Sequence, residues 1–188
     1  MSAFTDSQLI TRYLDGDKQA FGELVERYQN YVYNLAFRFS GNIADAEDLT
    51  QEVFLLLMRK VGQWRREAKF STWLYRVTAN LCLERLRGVR ETVPLEDYEP
   101  PASDNPVQEA EVADFHVQIQ RVLLEIPPDY RAAVVLRDIN GLSYDEVAAV
   151  LELAPGTVRS RISRGRALLA EKLRPALELK SGADRQNK

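Results

Sequence analysis

The chain has 188 residues, of which 45% are hydrophobic and 28% are charged, as is ordinary for a globular protein. It contains one cysteine (Cys82) and one histidine (His116), which excludes an intrachain disulfide and a Cys/His zinc site. There is no apolar run of ~18 residues, and residues 1–14 lack a basic-then-apolar signal pattern, so we expect a cytoplasmic protein without membrane insertion.

The net charge of −3 is unevenly distributed along the chain. Residues 91–115 contain eight acidic residues and no basic residue, whereas the segments on either side are mildly basic. Within residues 154–174, six basic residues occur with one acidic residue. The strongest positive field therefore lies near the C-terminus, where it favours a nucleic-acid partner.

Four helices are predicted in residues 1–90, because apolar residues recur there at steps of three and four. Gly16 is expected to end the first helix and Gly88 the fourth. The residues predicted to cap the four helices are Asp6, Asp17, Asn42 and Ser71. Residues 62–69 are predicted to form a loop before the fourth helix.

Residues 91–115 contain four prolines together with the eight acidic residues, and few large apolar residues. Proline stiffens a chain and like charges extend it, so this segment is predicted to be a linker. We therefore expect an all-α fold of two small helical domains, residues 1–90 and 116–180. Residues 181–188 are expected to form a disordered tail.

The second domain is predicted to end in a helix-turn-helix. Ser143 and Glu146 have the spacing of a capping box for a short helix, and a tight turn at 153–156 leads into the last helix. Its predicted buried face, within about 60° on a helical wheel, contains Val158, Ile162, Gly165 and Leu169.

The opposite side of this last helix carries side chains suited to DNA. They are Arg159, Ser160, Ser163 and Arg164. Arginine reads guanine edges bidentately, and both serine and arginine bind phosphate oxygens. The alternative is a solvated basic face on a structural helix, but the capping box, the turn spacing and the arginines together favour DNA binding.

The fourth helix and the loop before it combine aromatic and basic residues. The loop contains Trp64, Arg65, Arg66 and Lys69, followed by Phe70. One stripe of the helix contains Trp73, Arg76, Asn80, Glu84 and Arg87. Such a mixture suits single-stranded nucleic acid, because bases stack on rings while cations hold phosphates. The pattern is equally consistent with core positions for Phe70, Trp73 and Tyr75.

An acidic face lies on the third helix. It consists of Asp45, Asp48, Gln51 and Glu52. Clustered carboxylates are typical of acid–base catalysis or of a metal site, but no His or Cys joins them, so a solvated or protein-docking face is favoured. No phosphate-binding glycine loop or nucleophile motif is present, and we expect no cofactor and no catalysis. Cys82 is predicted to be a small core residue.

Three segments together resemble one known family. They are DAEDLTQEVFLLLMRK (residues 45–60), FSTWLYRVTANLCLERLR (70–87) and GLSYDEVAAVLELAPGTVRSRISRGRALL (141–169). Their order and spacing are similar to those of the bacterial extracytoplasmic-function (ECF) sigma factors, group IV of the sigma-70 family, over almost the whole chain.

The resemblance implies a transcription initiation factor that directs core RNA polymerase to promoter DNA. It implies that the acidic face docks on the polymerase β′ coiled coil, that the second domain lies at the β flap, and that an anti-sigma factor controls the protein. The residues implied to lie at the −10 element are Lys69, Phe70, Trp73 and Asn80, and Arg76 joins this predicted set because it lies on the same stripe of the helix. The residues implied to contact the −35 element are Arg137, Arg159, Ser160, Ser163 and Arg164, of which Arg137 rests on the resemblance alone.

Three rival functions remain compatible with the sequence. The first is a helix-turn-helix regulator that binds duplex DNA without polymerase, although residues 1–90 resemble no ligand or phosphoacceptor domain. The second is an enzyme that holds a metal on Asp45, Asp48 and Glu52. The third is an interaction protein that sequesters another factor, for which the sequence offers no positive feature.

Overall fold

The computed structural model describes residues 4–88 and 106–186, and every regular element in those two ranges is helical. The α-helices there are α1 (Asp6–Leu14), α2 (Lys18–Ser40), α3 (Ile43–Lys60), α4 (Phe70–Gly88), α5 (Pro106–Glu125), α6 (Pro128–Val134), α7 (Tyr144–Leu151) and α8 (Pro155–Gln186). A 3₁₀ turn, Val61–Gln63, follows α3, and a π-helical turn, Val135–Ile139, continues α6. The predicted all-α fold is confirmed.

Three predicted helix starts are confirmed by cap hydrogen bonds. The carboxylate of Asp17 accepts from the second backbone N–H of α2 at 3.0 Å, and the amide oxygen of Asn42 accepts from α3 at 2.9 Å. Ser143 and Glu146 form the reciprocal capping box at the start of α7. These caps satisfy backbone donors that have no partner within a helix.

Two other predicted caps are wrong. Thr5, one residue before Asp6, caps α1 and forms a capping box with Gln8, which satisfies two backbone donors where Asp6 alone would satisfy one. Ser71 lies inside α4, because the carbonyl of Lys69 already accepts a helical hydrogen bond at 3.2 Å.

Two segments predicted to be irregular are helical. Helix α5 begins at Pro106, inside the predicted linker 91–115, because a proline at the first helical position has no N–H to leave unpaired. Helix α8 runs to Gln186 and so includes most of the predicted tail 181–188. Residues 89–105, which hold the remainder of the predicted linker, lie outside the described residues.

The core consists of two apolar clusters. One joins α1, α2, α3 and α4 within the first half of the chain and includes Leu9, Leu24, Leu57 and Leu74. The other contains side chains from both halves, because α4 packs on α7 and α2 packs on α5. No helix within the described ranges is long and apolar enough to cross a membrane.

Candidate nucleic-acid interface

Helices α7 and α8 form the predicted helix-turn-helix. The turn between them depends on Glu152, whose φ of 54° places it in the left-handed region and whose N–H caps α7 on the carbonyl of Ala148. Helix α8 then begins at Pro155, so Gly156 belongs to the helix and not to the predicted turn. Proline at the first position and a left-handed residue just after the preceding helix give the short connection that this motif needs.

The predicted buried face of α8 is confirmed. Val158 and Ile162 are almost fully buried, and Leu169 is partly buried. Gly165 is buried where α8 crosses α6, since a Cβ there would lie 2.5 Å from Cγ2 of Val134. The close crossing of α6 and α8 therefore requires a glycine at this position.

The four polar residues predicted on the opposite side of α8 are all exposed: Arg159, Ser160, Ser163 and Arg164. Ser160 and Arg164 line a surface groove of about 600 Å³, together with Tyr130 and Arg161. Arg164 lies 3.5 Å from the Tyr130 hydroxyl, and Arg161 forms an ion pair with Asp129 at 3.3 Å. The groove thus presents guanidinium and hydroxyl donors side by side, as a phosphate backbone requires.

Two residues of this groove, Tyr130 and Arg161, were not predicted from the sequence. Arg161 lies on α8 between the buried and exposed faces. Its position among the other basic residues of this helix could have identified it from the sequence. Tyr130 belongs to α6, and only the tertiary packing brings it beside α8.

Arg137 lies apart from this groove. Its guanidinium donates to the carbonyl of Leu142 at 2.7 Å and lies 5.0 Å from the centroid of the Tyr144 ring. The side chain is half-buried, so the contacts hold it beside the start of α7 and leave only part of it open to solvent. Apolar periodicity contained no indication of this position.

The loop before α4 is held by its aromatic residues. The indole N–H of Trp64 donates to the carbonyl of Ala68 at 3.1 Å, and the ring of Phe70 lies between those of Trp64 and Trp73, at centroid distances of 5.5 and 5.9 Å. Phe70 is only 2% exposed, as is consistent with the core alternative, whereas Trp73 is partly exposed. Phe70 therefore supports this surface from beneath and does not face solvent.

The remaining predicted residues of this surface reach solvent. Trp73 and Arg76 line a cavity of about 320 Å³ beside the loop, and the wall contributed by the second half of the chain is Ala149 of α7. Lys69 and Asn80 are exposed on the same stretch of chain, outside that cavity. An indole face and a guanidinium at one cavity are the chemistry that binds an unstacked base and its phosphate.

The acidic face of α3 is largely exposed, with Asp48, Gln51 and Glu52 open to solvent and Asp45 half-buried. Glu52 forms an ion pair with Arg85 of α4 at 3.0 Å. The described residues contain no cluster of three or more His, Cys, Asp or Glu side chains that could hold a metal.

An exposed apolar pair continues this face toward the end of α3. Leu55 and Met58 are 55% and 46% exposed, and each follows the acidic residues at helical spacing. Large apolar side chains in such exposed positions beside charged residues are typical of a protein-docking face. This pair was not predicted, because apolar residues of α3 were expected along its buried side.

Cys82 is fully buried and has no disulfide partner. Burial raises the pKa of its thiol to about 12. A thiol that stays protonated is a poor nucleophile, and the prediction of a small core residue fits this environment.

Comparison with known proteins gives a consistent result for both halves. The family model described as Sigma-70 region 2 matches residues 24–92, and that described as Sigma-70, region 4 matches residues 116–169. The ECF RNA polymerase sigma factor SigE of Mycolicibacterium smegmatis is 46% identical, over 92% of this chain and 74% of that protein. The ECF RNA polymerase sigma-E factor of Escherichia coli K12 is 32% identical, over 92% of this chain and 96% of that protein.

A solved structure shares the arrangement of helices. CnrH, in complex with the cytosolic domain of CnrY, matches with a TM-score of 0.68 and 26% identity, over 90% of this chain and 97% of that chain. The similarity thus extends over both helical units and not over the helix-turn-helix alone.

Proposed function

Because this chain belongs to the ECF sigma factors of the sigma-70 family, we propose that it recruits core RNA polymerase to its promoters through binding energy alone, without catalysing a reaction. Residues 1–90 are assigned to polymerase docking and the −10 element and residues 116–180 to the −35 element, and the acidic segment 91–115 between them includes the start of α5 at Pro106. Its place of action is the cytoplasm, where polymerase is.

The docking face is assigned to α3. Asp48, Gln51 and Glu52 are exposed there, Asp45 adds a fourth polar group, and the neighbouring apolar side chains of α3 extend the face. In protein interfaces, apolar contact provides affinity, while charges provide specificity and fast association. An apolar patch beside charged side chains therefore supports the assignment of a docking face. The implied partner is the β′ coiled coil.

The −10 surface is assigned to α4 and the loop before it. Trp73 and Arg76, which line the cavity, are suited to hold an extruded base and its phosphate, and Lys69 and Asn80 are exposed on the same stretch of chain. Extrusion of a base costs a few kcal/mol of lost stacking, and a stacking partner in the protein offsets part of that cost. Phe70, buried behind the cavity, positions the two tryptophans.

The −35 surface is assigned to the exposed side of α8. The assignment is supported by the exposed Arg159, Ser160, Ser163 and Arg164 and by the groove that two of them line. Arg137 contributes from the turn that continues α6, where its guanidinium is already oriented by the carbonyl of Leu142. Control by an anti-sigma factor is part of the proposal, since the similar CnrH was solved with a protein partner.

The observation that carries the proposal is that both region models match this one chain. The two surfaces proposed to bind nucleic acid and the proposed docking face also lie on three different helices, α4, α8 and α3. The test is a titration of sigma-free core RNA polymerase with the wild-type chain, Asp48→Ala and Glu26→Ala. Both variants remove one exposed carboxylate, but Glu26 lies on α2, outside the docking face of α3.

We expect Asp48→Ala to weaken polymerase binding by roughly 10-fold, in the range of interface side chains, with Glu26→Ala unchanged. Equal losses in the two variants would mean that general charge, not this face, governs binding. An absence of polymerase binding by the wild-type chain would reject the proposal and leave a helix-turn-helix protein that binds duplex DNA alone.

A further inference from the structure

Helix α1 lies against the loop before α4, although none of the surfaces assigned above is on this helix. Its residue Leu14 packs on the 3₁₀ turn that precedes the loop, where a Cβ added to Gly62 would lie 3.4 Å from Cδ2 of Leu14. The hydroxyl of Tyr13 lies 3.5 Å from the carbonyl oxygen of Met58, near the end of α3. Helix α1 therefore contacts the chain at the point where the loop begins.

The middle of the loop is joined to α1 by an arginine. The guanidinium of Arg66 donates to the hydroxyl oxygen of Thr11 at 2.7 Å. That hydroxyl donates its own proton to the carbonyl of Ser7 at 2.9 Å, which leaves its lone pairs to accept from the guanidinium. A hydrogen bond from a charged donor is stronger than one between neutral groups. We call the pair Thr11 and Arg66 the tether.

The backbone of Arg66 has an unusual conformation. Its φ of 59° lies in the left-handed region, which residues other than glycine rarely adopt because the Cβ crowds the backbone. Such a conformation persists only where surrounding contacts hold it. The hydrogen bond to Thr11 is a contact of this kind, because it joins the loop to a helix 55 residues earlier in the chain.

The two adjacent arginines of the loop face different surroundings. On the loop side, the cavity beside α4 is lined by Gln63, Trp64, Arg65, Glu67 and Ala68. Within residues 63–68, Arg66 is therefore the one residue that does not line the cavity. Arg65 presents its charge to the cavity, whereas Arg66 presents its charge to α1.

Helix α1 is itself firmly held on α2. Its apolar side is buried in the cluster of the first half, and Asp6 forms an ion pair with Arg27 of α2. Asp6 also accepts from the hydroxyl of Tyr28 at 2.7 Å, and the ring of Tyr28 meets that of Phe70 edge-on at a centroid distance of 5.4 Å. Because Phe70 lies beneath the two tryptophans, α1 and α2 support the cavity from below while the tether holds its rim.

We propose that the tether between Thr11 and Arg66 fixes the shape of the cavity that receives the extruded −10 base, and so contributes to which base the chain selects. Both are positioning residues, because they act through the loop and do not touch the base. The inference rests on the proposed function of α4 and its loop as the −10 surface. A rim held in one conformation discriminates between bases better than a mobile rim, which adapts to the wrong base as well.

The conformation of the loop is measured in the free chain by proton NMR. The indole N–H of Trp64 donates to the carbonyl of Ala68, so its resonance reports on the loop, and Trp64→Phe identifies it. We expect Arg66→Gly and Thr11→Val each to move or broaden this resonance. Glycine adopts the φ of Arg66 without strain, and valine keeps the branched shape of threonine without its hydroxyl, so each variant removes the tether with little other change.

Two further variants show whether the hydrogen bond itself is responsible. Thr11→Ser retains a hydroxyl at this exposed position and should restore the wild-type resonance. The double variant Thr11→Val with Arg66→Gly loses the same hydrogen bond only once. Its effect should therefore equal that of either single variant, and not their sum.

The effect on base selection is measured with core RNA polymerase. Transcript starts mapped on fragmented genomic DNA give the frequency of each base at every −10 position. Loss of the tether should lower the preference for the favoured base at the extruded position about two- to five-fold, the factor expected for one exposed hydrogen bond. Thr11→Ser should retain the wild-type preference.

Arg65→Ala is the matched control for loss of charge. It removes the neighbouring arginine, which faces the cavity and not α1. A phosphate contact carries no sequence information, so this variant should weaken initiation equally at all starts and reduce its dependence on salt. Base preference should change in the two tether variants and not in Arg65→Ala.

A Trp64 resonance that is the same in wild type, Arg66→Gly and Thr11→Val would overturn the tether. A moved resonance with wild-type base preference would overturn its role in selection. An equal, salt-dependent loss at all starts in Arg66→Gly, absent from Thr11→Val, would show that Arg66 binds a phosphate, and would also overturn the proposal. An absence of transcript starts with the wild-type chain would reject the proposed function, and with it the role in base selection, while the NMR result would still decide whether the tether exists.

Discussion

Gly165 gives the sharpest test of how the helix-turn-helix is packed. A Cβ at this position would lie 2.5 Å from Cγ2 of Val134 and 3.1 Å from the carbonyl oxygen of Tyr130. Ordinary carbon contacts are about 3.5–4.0 Å, so the added methyl overlaps Val134 by roughly 1 Å. Val134 is buried and branched at Cβ, which fixes its rotamer and prevents it from turning away.

The magnitude for Gly165→Ala follows from two opposing terms. Overpacking costs about 1–3 kcal/mol, whereas alanine in a helix interior gains about 0.8–1 kcal/mol over glycine. We expect a net loss of about 1 kcal/mol in the free energy of unfolding. At Gly156 of the same helix, an added Cβ would meet no atom within 4 Å, so Gly156→Ala should be neutral or slightly stabilising.

Urea denaturation of the full chain measures both variants and the double substitution Gly165→Ala with Val134→Ala. Removal of the Val134 methyl groups should relieve the overlap, so the two losses together should be about 1 kcal/mol smaller than their sum. Equal stability of Gly165→Ala and Gly156→Ala, or strict additivity with Val134→Ala, would refute the close crossing of α6 and α8.

The other predictions concern the cap, the thiol and the DNA face. Ser143→Ala should lower the free energy of unfolding by about 1 kcal/mol in the same assay. Hydrogen bonds to Ser143 hold the pKa of Glu146 below its ordinary value. The ionised carboxylate therefore stabilises the fold at neutral pH, and this contribution is lost as pH falls through the lowered pKa. The difference in free energy of unfolding between wild type and Glu146→Gln should therefore narrow below a pH of about 4. Burial raises the pKa of Cys82 to about 12, so a thiol reagent should react with it far more slowly in the folded chain than in urea, and equal rates would contradict its burial. If Arg159 contacts a phosphate, Arg159→Ala should weaken binding of −35 duplex DNA and reduce the slope of log Kd against log salt concentration by about one. An unchanged slope would contradict a phosphate contact by Arg159.

The parts of the fold that the sequence predicted depend on neighbours a few residues apart. The caps at Asp17 and Asn42 and the Ser143 box are hydrogen bonds across two or three positions, so residue type and spacing suffice. The failure at α1 is local too: Thr5 and Asp6 are adjacent capping residues, but only Thr5 is followed three residues later by a glutamine, and this capping-box spacing was overlooked.

The features that the sequence did not predict depend on distant contacts. Gln120 and Arg131 look like ordinary polar residues of amphipathic helices, and only their pairing with carbonyls more than 80 residues away explains their burial. The burial of Phe70 beneath the two tryptophans and the exposure of Leu55 have the same origin. Apolar periodicity identifies a helix face but not the element that covers it.

The central property proposed for this chain is that it directs core RNA polymerase to specific promoters. The most direct test is to mix the purified chain with sigma-free core polymerase on fragmented genomic DNA and to map the 5′ ends of the transcripts. We expect discrete starts that share two upstream elements and that disappear when the chain is omitted. Starts no different from those of core polymerase alone, together with no co-elution of the chain with core polymerase, would contradict the proposed role.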